Sequence, residues 1–515
     1  MNEWAELGHA LDALAQSGFA EVHEDGEWLA ELTPLHCELR AEGQSPFVHL
    51  WSERRNLTRR ILRIRERSPE RIVLEVQRFG RARPGRLELL RKNAPRTPAR
   101  LNREQFRAFL RRWLTECFPD ATIDSISAAP DLKNSFSGLY ARGRMHQGVR
   151  SWAFLAVSAR ESAATIEGIL AFGILWLDAT RQRAELRAVD GLRLFVPRGT
   201  GRFLRQRIAG LSASARVEVF EFSEGDGRIE KVDLADAGNI ETWLVPRNEA
   251  ESALRAARDA ASRIPVLETS ISETGEAVSA SFVGATSEVA FLFRGMEFAR
   301  WSKGIVRVGI GEVQQRARET GRDGRPLDEL LGELELHRNS LASETNHPLY
   351  RFAPERWLEA ILREDPTRLD AQLDPRFLYS QVPAFAVGDR GVLDLLGVTR
   401  RGRLVVIELK ASEDIQLPLQ AVDYWLRVRR HQSDGDFARY GYFPGIELDA
   451  APPLVWLVAP GLRFHSATEI LLRYLAPDIQ ITRIGLGENW RRGIQVIFRQ
   501  SGVTSGGFAS KRAPK

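Results

Sequence analysis

The segment GVLDLLGVTRRGRLVVIELKASEDIQLPLQAVDY, residues 391–424, decides the fold of the last part of the chain. Two apolar runs, 391–398 and 404–410, have the length and composition of β-strands. The residues between them include Gly402 and read as a tight turn, so the two runs are predicted to form a hairpin. A helix over 419–431 is predicted to follow the second strand.

Three charged side chains interrupt these apolar strands. Asp394 belongs to the first strand, and Glu408 and Lys410 stand two residues apart on the second, so they share one face. Burying such charges is costly unless they are paired or bound to a metal. Pairing of the hairpin brings Asp394 beside Glu408, and Mg²⁺ or Mn²⁺ relieves repulsion between two carboxylates. The alternative is a structural ion pair of Lys410 with Glu408 or Asp394.

The same residues resemble the core motifs of the PD-(D/E)XK nuclease superfamily. LD at 393–394 and ELK at 408–410 match the two core motifs. Leu393 departs from the pattern, because the superfamily is named for a proline there. The likeness covers roughly 355–430, and the domain is expected to continue to residue 500.

Two further segments resemble motifs of this superfamily. QAVDY, from Gln420 to Tyr424, resembles the QxxxY motif of RecB-like and NucS-type members. The i, i+4 spacing puts these two side chains on one helix face. ERWLEAILREDPTRLD, which begins at Glu355, resembles the first helix of the family. Its acidic residue is Glu355, with Glu359 one turn later as the alternative.

The resemblance implies a metal-dependent DNA endonuclease in repair, restriction or defence. The implied catalytic residues are Glu355, Asp394, Glu408, Lys410, Gln420 and Tyr424. The implied ligands of a Mg²⁺ or Mn²⁺ ion are Asp394, Glu408, the backbone carbonyl of Leu409, and Glu355. NucS-type members also suggest a homodimer. The alternatives are a catalytically silent nucleic-acid-binding or assembly protein with a vestigial nuclease fold, and a ribonuclease.

Changes in composition and pattern along the chain predict an α/β multidomain protein. The predicted parts are a basic, strand-rich N-terminal domain (1–100), an α/β domain (101–245), an α+β connecting region with a linker (246–345), a restriction-endonuclease-like domain with a mixed central sheet flanked by helices (346–500), and a disordered tail (501–515).

The order of predicted elements in 101–222 parallels that in 355–486. Pro197 and Pro460 fall at matching strand ends. Where the later segment has ELK, the earlier one has WAFLAVSA, which contains no charged residue. We therefore hypothesise that the earlier segment is a degenerate, inactive copy of the nuclease domain. The alternative is coincidence, because many α/β units share such an order.

Positive charge is concentrated near the N-terminus. Residues 53–112 contain 20 Lys and Arg against 6 Asp and Glu, although the whole chain has a net charge of only +5. Basic segments of this kind attract polyanions such as DNA. The candidate nucleic-acid-binding residues are Arg54, Arg55, Arg59, Arg60, Arg63, Arg427 and Arg430. The alternatives are a half-buried strand with a solvated face, and a cationic helix end that complements the helix dipole.

Composition excludes several other classes of protein. Two cysteines cannot build a disulfide framework or a cysteine-rich zinc site. The first 20 residues contain no Lys or Arg, so a secretory signal is not expected. No apolar run approaches the roughly 18 residues of a membrane span, and no phosphate-binding GxxxxGK[ST] motif occurs. These features predict a cytoplasmic protein without a membrane partner.

Overall fold

In the computed structural model, the described residues form four β-sheets flanked by helices. It describes residues 3–502 without the segments 17–19, 25–26, 33–36, 43–44, 52–55, 69–70, 78–83, 92–98, 130–135, 137–138, 184–187, 224–227, 236–243, 265–277, 284–286, 310–314, 317–324 and 384–391. Contacts divide the chain into an N-terminal unit (Met1–Cys117 with Ser158–Ile166) and a C-terminal unit (Phe118–Val157 with Glu167–Lys515). The expected mixed α/β, multidomain organisation is confirmed.

An antiparallel seven-stranded sheet forms the N-terminal unit, in the order β2-β1-β7-β6-β5-β4-β3. Its strands are β1 (Ala20–Glu24), β2 (Glu27–Leu32), β3 (Cys37–Glu42), β4 (Ser45–Trp51), β5 (Asn56–Arg67), β6 (Arg71–Gln77) and β7 (Gly85–Arg91). Helix α1 (Glu3–Gln16) carries Leu7, Leu11 and Leu14 on one face, and this apolar stripe packs on the sheet. Helix α2 (Ala99–Cys117) belongs to the same unit, which therefore extends past residue 100.

A mixed six-stranded sheet, here called the middle sheet, begins the C-terminal unit. Its strands, in spatial order, are β8 (Ala121–Ile123), β9 (Tyr140–Gln147), β10 (Arg150–Val157), β11 (Gly191–Pro197), β12 (Val217–Phe222) and β13 (Ile229–Lys231). Helix α3 (Ala163–Arg183) follows β10, and helix α4 (Arg202–Ala209) follows β11. Every residue of β11 is buried, as is typical of a parallel strand covered on both faces, and its charged residue, Arg193, is paired with Glu218 at 2.8 Å.

A five-stranded antiparallel sheet comes next in the C-terminal unit. Its strands are β14 (Val278–Val283), β15 (Glu288–Phe293), β16 (Met296–Ser302), β17 (Ile305–Val308) and β18 (Gln315–Arg316). Helices α5 (Arg247–Ala261) and α6 (Arg325–His337) cover it through a common apolar core. That core includes Ala257 of α5, Phe291 and Phe298 of the sheet, and Leu334 of α6.

The last sheet is again mixed and six-stranded. Its strands, in spatial order, are β19 (Leu373–Pro383), β20 (Val392–Thr399), β21 (Leu404–Leu409), β22 (Leu454–Pro460), β23 (Ile481–Leu486) and β24 (Val496–Ser501). Its helices are α7 (Pro348–Arg351), α8 (Pro354–Glu364), α9 (Leu417–Ser433), α10 (Asp436–Arg439) and α11 (Thr468–Arg473). Short 3₁₀ turns lie at Pro366–Arg368, Gly461–Arg463 and Trp490–Arg492. The predicted β20–β21 hairpin and the helix after it are both present.

Some features of the chain lie outside the sequence-based expectations. Strands β19 and β24, the two edges of the last sheet, had no counterpart among the predicted strands. Most of the tail predicted to be disordered lies outside the described residues, as do residues 265–277, 284–286, 310–314 and 317–324 of the predicted connecting region. Within the ranges given above, no helix combines the length and apolarity that crossing a membrane requires.

Arg338 fixes the start of helix α8. Its side chain is 0% exposed, and its guanidinium donates to the backbone carbonyls of Arg294, Leu349, Phe352 and Ala353. Burial first, and then the positive charges of nearby arginines, lowers the pKa of Arg338 to about 9. The contact ties the turn between β15 and β16 to the residues that begin α8, where Glu355 lies.

We expect Arg338→Lys to lower the free energy of unfolding by about 3 kcal/mol or more, because an ammonium group cannot supply donors to all four buried carbonyls. Urea denaturation followed by tryptophan fluorescence measures the change. The matched control is Arg255→Lys on an exposed part of α5, which should cost less than about 0.5 kcal/mol. Equal stability of the two variants would contradict the anchoring role of Arg338.

Candidate active site

The β20–β21 hairpin brings Asp394 and Glu408 together. Leu395 pairs with Ile407 in the antiparallel register, so Asp394 lies across from Glu408 on the neighbouring strand. The backbone N–H of Leu409 donates to Asp394 Oδ2 at 3.0 Å, which fixes this carboxylate against β21. Burial raises the pKa of Asp394, although that hydrogen bond acts in the opposite direction.

Glu408 is the most deeply buried carboxylate of the site. Glu408 is only 3% exposed. Oε1 lies 3.6 Å from Lys410 Nζ, whereas Oε2 is buried and has no hydrogen-bond partner among the described residues. Burial first, and then the charge of Asp394, raises the pKa of Glu408 well above its ordinary value. A buried acceptor without a donor is costly, and a bound cation would offset that cost.

The donor atoms of this site fit a hard divalent cation. Asp394, Glu408 and the backbone carbonyl of Leu409 offer oxygen atoms, which Mg²⁺ and Mn²⁺ prefer. Within the described ranges, no group of three or more His, Cys, Asp or Glu side chains lies close enough together to hold a metal. A cation held here would therefore complete its coordination with water. The role of Glu355 as a further ligand stays a prediction.

Lys410 stands among carboxylates. Its Nζ lies 3.6 Å from Glu408 Oε1 and 3.4 Å from Asp414 Oδ2. Burial opposes the charged form, but the attraction of Glu408 and then Asp414 outweighs burial and raises the pKa of Lys410. Lys410 is therefore a protonated donor at neutral pH. Sequence reasoning missed Asp414, because it lies in the loop between β21 and α9, where spacing along the chain does not predict which side chains meet.

Helix α8 contributes two acidic residues in different environments. Glu355 Oε1 accepts a hydrogen bond from the backbone N–H of Ala411 at 3.2 Å, directly after Lys410. Glu359 is 4% exposed and its Oε2 lies 2.7 Å from Arg356 Nη1. Burial raises the pKa of Glu359 despite that ion pair. Glu355 therefore faces the end of β21, whereas Glu359 is engaged by Arg356, a residue that sequence reasoning did not single out.

Helix α9 presents Gln420 and Tyr424 one turn apart. Gln420 Oε1 is buried and has no hydrogen-bond partner in the described part of the chain. Burial first, and then the negative charges of Glu408 and Asp394, raises the pKa of Tyr424. The phenol therefore remains protonated and lies within the electrostatic reach of both carboxylates. The structure thus places Glu355, Asp394, Glu408, Lys410 and Tyr424 within hydrogen-bonding or electrostatic reach of one another, and Gln420 lies one turn before Tyr424 on α9.

The arginines predicted to contact phosphate at the end of α9 are engaged by the protein. Arg427 is only 6% exposed and lies within the helix packing rather than on open surface. Arg430 Nε lies 3.8 Å from Asp434 Oδ2, in an i, i+4 ion pair. These contacts favour the structural alternative for this helix end.

The basic N-terminal strands contain both paired and exposed arginines. Arg54 and Arg55 lie outside the described residues. Arg59 donates to both carboxylate oxygens of Glu24, at 2.6 and 2.9 Å, which is a structural ion pair. Arg60 is half-buried on the same strand, whereas Arg63 is exposed. Arg63 is the member of this set best placed to meet a polyanion.

Comparison with known proteins adds no further assignment. No protein-family model, no curated protein and no solved structure matches this chain. The inference of function therefore rests on the residues and the geometry given above.

We expect Glu408→Gln and Asp394→Asn each to weaken Mn²⁺ binding at least about 10-fold in calorimetry, because each removes a charged oxygen ligand. In metal-free buffer, Glu408→Gln should leave the unfolding midpoint unchanged or raise it, since it removes a buried and poorly compensated charge. Glu413→Gln changes an exposed carboxylate nearby and is the matched control. Unchanged Mn²⁺ affinity in all three variants would refute a metal site here.

Proposed function

We propose that this chain is a metal-dependent nuclease that hydrolyses phosphodiester bonds of DNA. The observation that carries the proposal is the buried Glu408, whose Oε2 has no hydrogen-bond partner among the described residues and which lies across from Asp394. A fold rarely retains an uncompensated buried carboxylate beside a second one unless a cation is bound there. Lys410 and helix α9 supply donors around the same point.

Asp394 and Glu408, with the backbone carbonyl of Leu409, would hold Mg²⁺ or Mn²⁺, and Glu355 would complete the set directly or through water. The metal, when bound, neutralises phosphate charge and makes a water molecule more acidic. The N–H of Leu409 orients Asp394, and the N–H of Ala411 orients Glu355. The backbone of β21 therefore aligns both carboxylates before any substrate arrives.

Lys410 would stabilise the negative charge that develops on the phosphate during hydrolysis. Asp414 and Glu408 keep its ammonium group protonated and hold it in place. A positioned donor of this kind contributes to the transition state rather than to substrate binding alone. Gln420 and Tyr424 offer an amide and a phenol hydroxyl on the same side, which suits hydrogen bonding to the DNA backbone.

The remaining elements of the proposal follow from charge and composition. The exposed basic side chains of strand β5, Arg63 above all, would hold DNA in the N-terminal unit. We place the protein in the cytoplasm.

A specific observation favours a second candidate, a catalytically silent DNA- or RNA-binding protein. Among the described residues, no group of three or more His, Cys, Asp or Glu side chains lies within metal-binding distance. Cleavage and binding assays separate the two.

We expect wild-type protein with Mg²⁺ or Mn²⁺ to cleave DNA, and Lys410→Met to reduce the rate about 100-fold or more while Mn²⁺ binding is retained. Asp394→Asn should abolish cleavage and weaken Mn²⁺ binding at least about 10-fold. Double-stranded, single-stranded and branched DNA, together with RNA, are compared by gel assay, with Glu413→Gln as the control. Equal rates for wild type and Asp394→Asn would show that a contaminating nuclease causes the cleavage, and equal rates for wild type and Lys410→Met alone would contradict the role of Lys410.

We expect Arg63→Gln to weaken DNA binding and to lower the slope of log K against log salt by about 1, as loss of one phosphate contact requires. Fluorescence anisotropy at several salt concentrations measures both quantities. Arg255→Gln on the exposed face of α5 is the matched control. The urea midpoint of Arg63→Gln should equal that of wild type, so that lost binding is not lost folding. An unchanged salt slope would exclude Arg63 from the DNA-binding surface.

A further inference from the structure

The middle sheet and the last sheet have the same strand order and the same strand directions. In the middle sheet, β8–β9 and β9–β10 are antiparallel, β10–β11 and β11–β12 are parallel, and β12–β13 are antiparallel. The pairs from β19 to β24 repeat this series without exception. Helices α3 and α4 also occupy the same places in the chain order as α9 and α11. A different strand order would have excluded a repeat.

The strand registers align the two sheets residue by residue. Pro197 ends β11 and Pro460 ends β22. Leu194, three residues before Pro197, pairs with Leu155 on the neighbouring parallel strand. Leu457, three residues before Pro460, pairs with Glu408 in the same way. Leu155 therefore takes the place of Glu408, and Val157, two residues later, takes the place of Lys410.

Arg142 takes the place of Asp394 in the middle sheet. It pairs with Leu155 across β9 and β10, as Asp394 lies across from Glu408. Arg142 is 6% exposed, and its Nη2 donates to the backbone carbonyl of Ala129 at 2.6 Å. Its guanidinium also lies 4.8 Å from the ring centre of Phe136. The positive charge of Arg142 therefore occupies the position at which a bound cation would require a carboxylate.

The middle domain, which is the middle sheet with helices α3 and α4, meets the last domain, which is the last sheet with helices α7 to α11, at equivalent positions. Leu211 lies two residues after α4 and Leu475 two residues after α11, and the two form an antiparallel β-bridge with one another. The N–H of Ser212 donates to the carbonyl of Tyr474 at 2.8 Å, and the N–H of Ala476 donates to that of Gly210 at 2.9 Å. Residues 210, 211 and 212 correspond to residues 474, 475 and 476. A two-fold rotation that swaps the two segments therefore converts each of these hydrogen bonds into the other. Reciprocal contacts of this kind characterise a two-fold interface between like subunits.

Two ion pairs cross the same contact in opposite directions, and each joins an arginine of one domain to an aspartate of the other. Arg207 of α4 lies 2.6 Å from Asp423 of α9. In the other direction, Arg473 of α11 lies 3.1 Å from Asp178 of α3. Each domain therefore supplies an aspartate from its longer helix and an arginine from its shorter one. Gly210 permits the close approach, because a Cβ added there would collide with Val422.

We propose that the middle domain is a catalytically silent counterpart of the last domain and occupies, within one chain, the place of a second subunit. The protein then works as a monomer with a single active site and cuts one strand of a DNA duplex per encounter. This inference rests on the proposed nuclease function. It replaces the homodimer that the sequence suggested, because the two-fold contact is already made inside the chain.

Strand selectivity follows from the geometry of the duplex. The two strands run in opposite directions, so cutting both in one encounter needs two active sites related by an approximate two-fold axis. Here the second position holds Arg142, Leu155 and Val157 in place of the acidic and basic residues of the first. A second cut therefore requires the protein to release the duplex and bind again.

The first experiment follows cleavage of supercoiled plasmid by full-length wild-type protein with Mn²⁺. We expect nicked circles to accumulate before any linear product, at a rate proportional to protein concentration. Sedimentation under the same conditions should give one species of 58.0 kDa, and calorimetry should show that Asp394→Asn weakens every Mn²⁺ site of the chain. Direct formation of linear plasmid, a dimer in sedimentation, or a Mn²⁺ site whose affinity Asp394→Asn leaves unchanged would each overturn the proposal.

The second experiment tests the internal contact through Arg207 and Asp423. We expect Arg207→Asp and Asp423→Arg each to lower the urea midpoint, and the double variant to recover most of that loss. Strictly additive losses would overturn the two-fold contact. If wild type cleaves no DNA or RNA, the proposed function fails. The silent-counterpart arrangement is then decided by sedimentation, by the effect of Asp394→Asn on Mn²⁺ binding and by this exchange of charges.

Discussion

Glu408 Oε2 lies inside the last sheet without a hydrogen-bond donor among the described residues, and the surrounding elements are arranged around that oxygen. The hairpin partner strand adds Asp394 rather than a donor, so the local field becomes more negative. Lys410 compensates only one side of the carboxylate. The N-terminus of α8 and the i, i+4 face of α9 then close the site. A binding site for a hard cation is the simplest structure that meets this electrostatic requirement.

Much of this site was readable from sequence because its signals are local. Asp394, Glu408 and Lys410 stand out as charges in apolar strands, and the hairpin follows from the turn between them. Asp414 and Arg356 were missed because their roles depend on which side chain lies beside them in space. Burial of Arg427 was equally unreadable, since a charge near a helix end ordinarily faces solvent. Arg338 was missed because its partners are backbone carbonyls from two separate segments, residue 294 and residues 349–353.

The repeat shows a different limit of sequence reasoning. Matching strand ends at Pro197 and Pro460 suggested it, but two α/β units can share an order of elements by coincidence. The structure adds three observations that the sequence could not provide. These are the strand directions, the strand registers and the reciprocal backbone hydrogen bonds. They also identify Arg142 as the counterpart of Asp394, a correspondence without any chemical similarity. A guanidinium repels cations, so Arg142 cannot take the role proposed for Asp394.

The antiparallel bridge between Leu211 and Leu475 makes the last domain a poor independent module. A fragment that began near residue 346 would expose the carbonyl of Tyr474 and the N–H of Ala476, and it would uncover Val422 on α9. Helix α9 also carries Gln420 and Tyr424, so the uncovered surface and the candidate site share one helix. Residues 210–212 thus cover part of the surface of the proposed nuclease domain, and a fragment limited to the recognisable motif would be an incomplete folding unit.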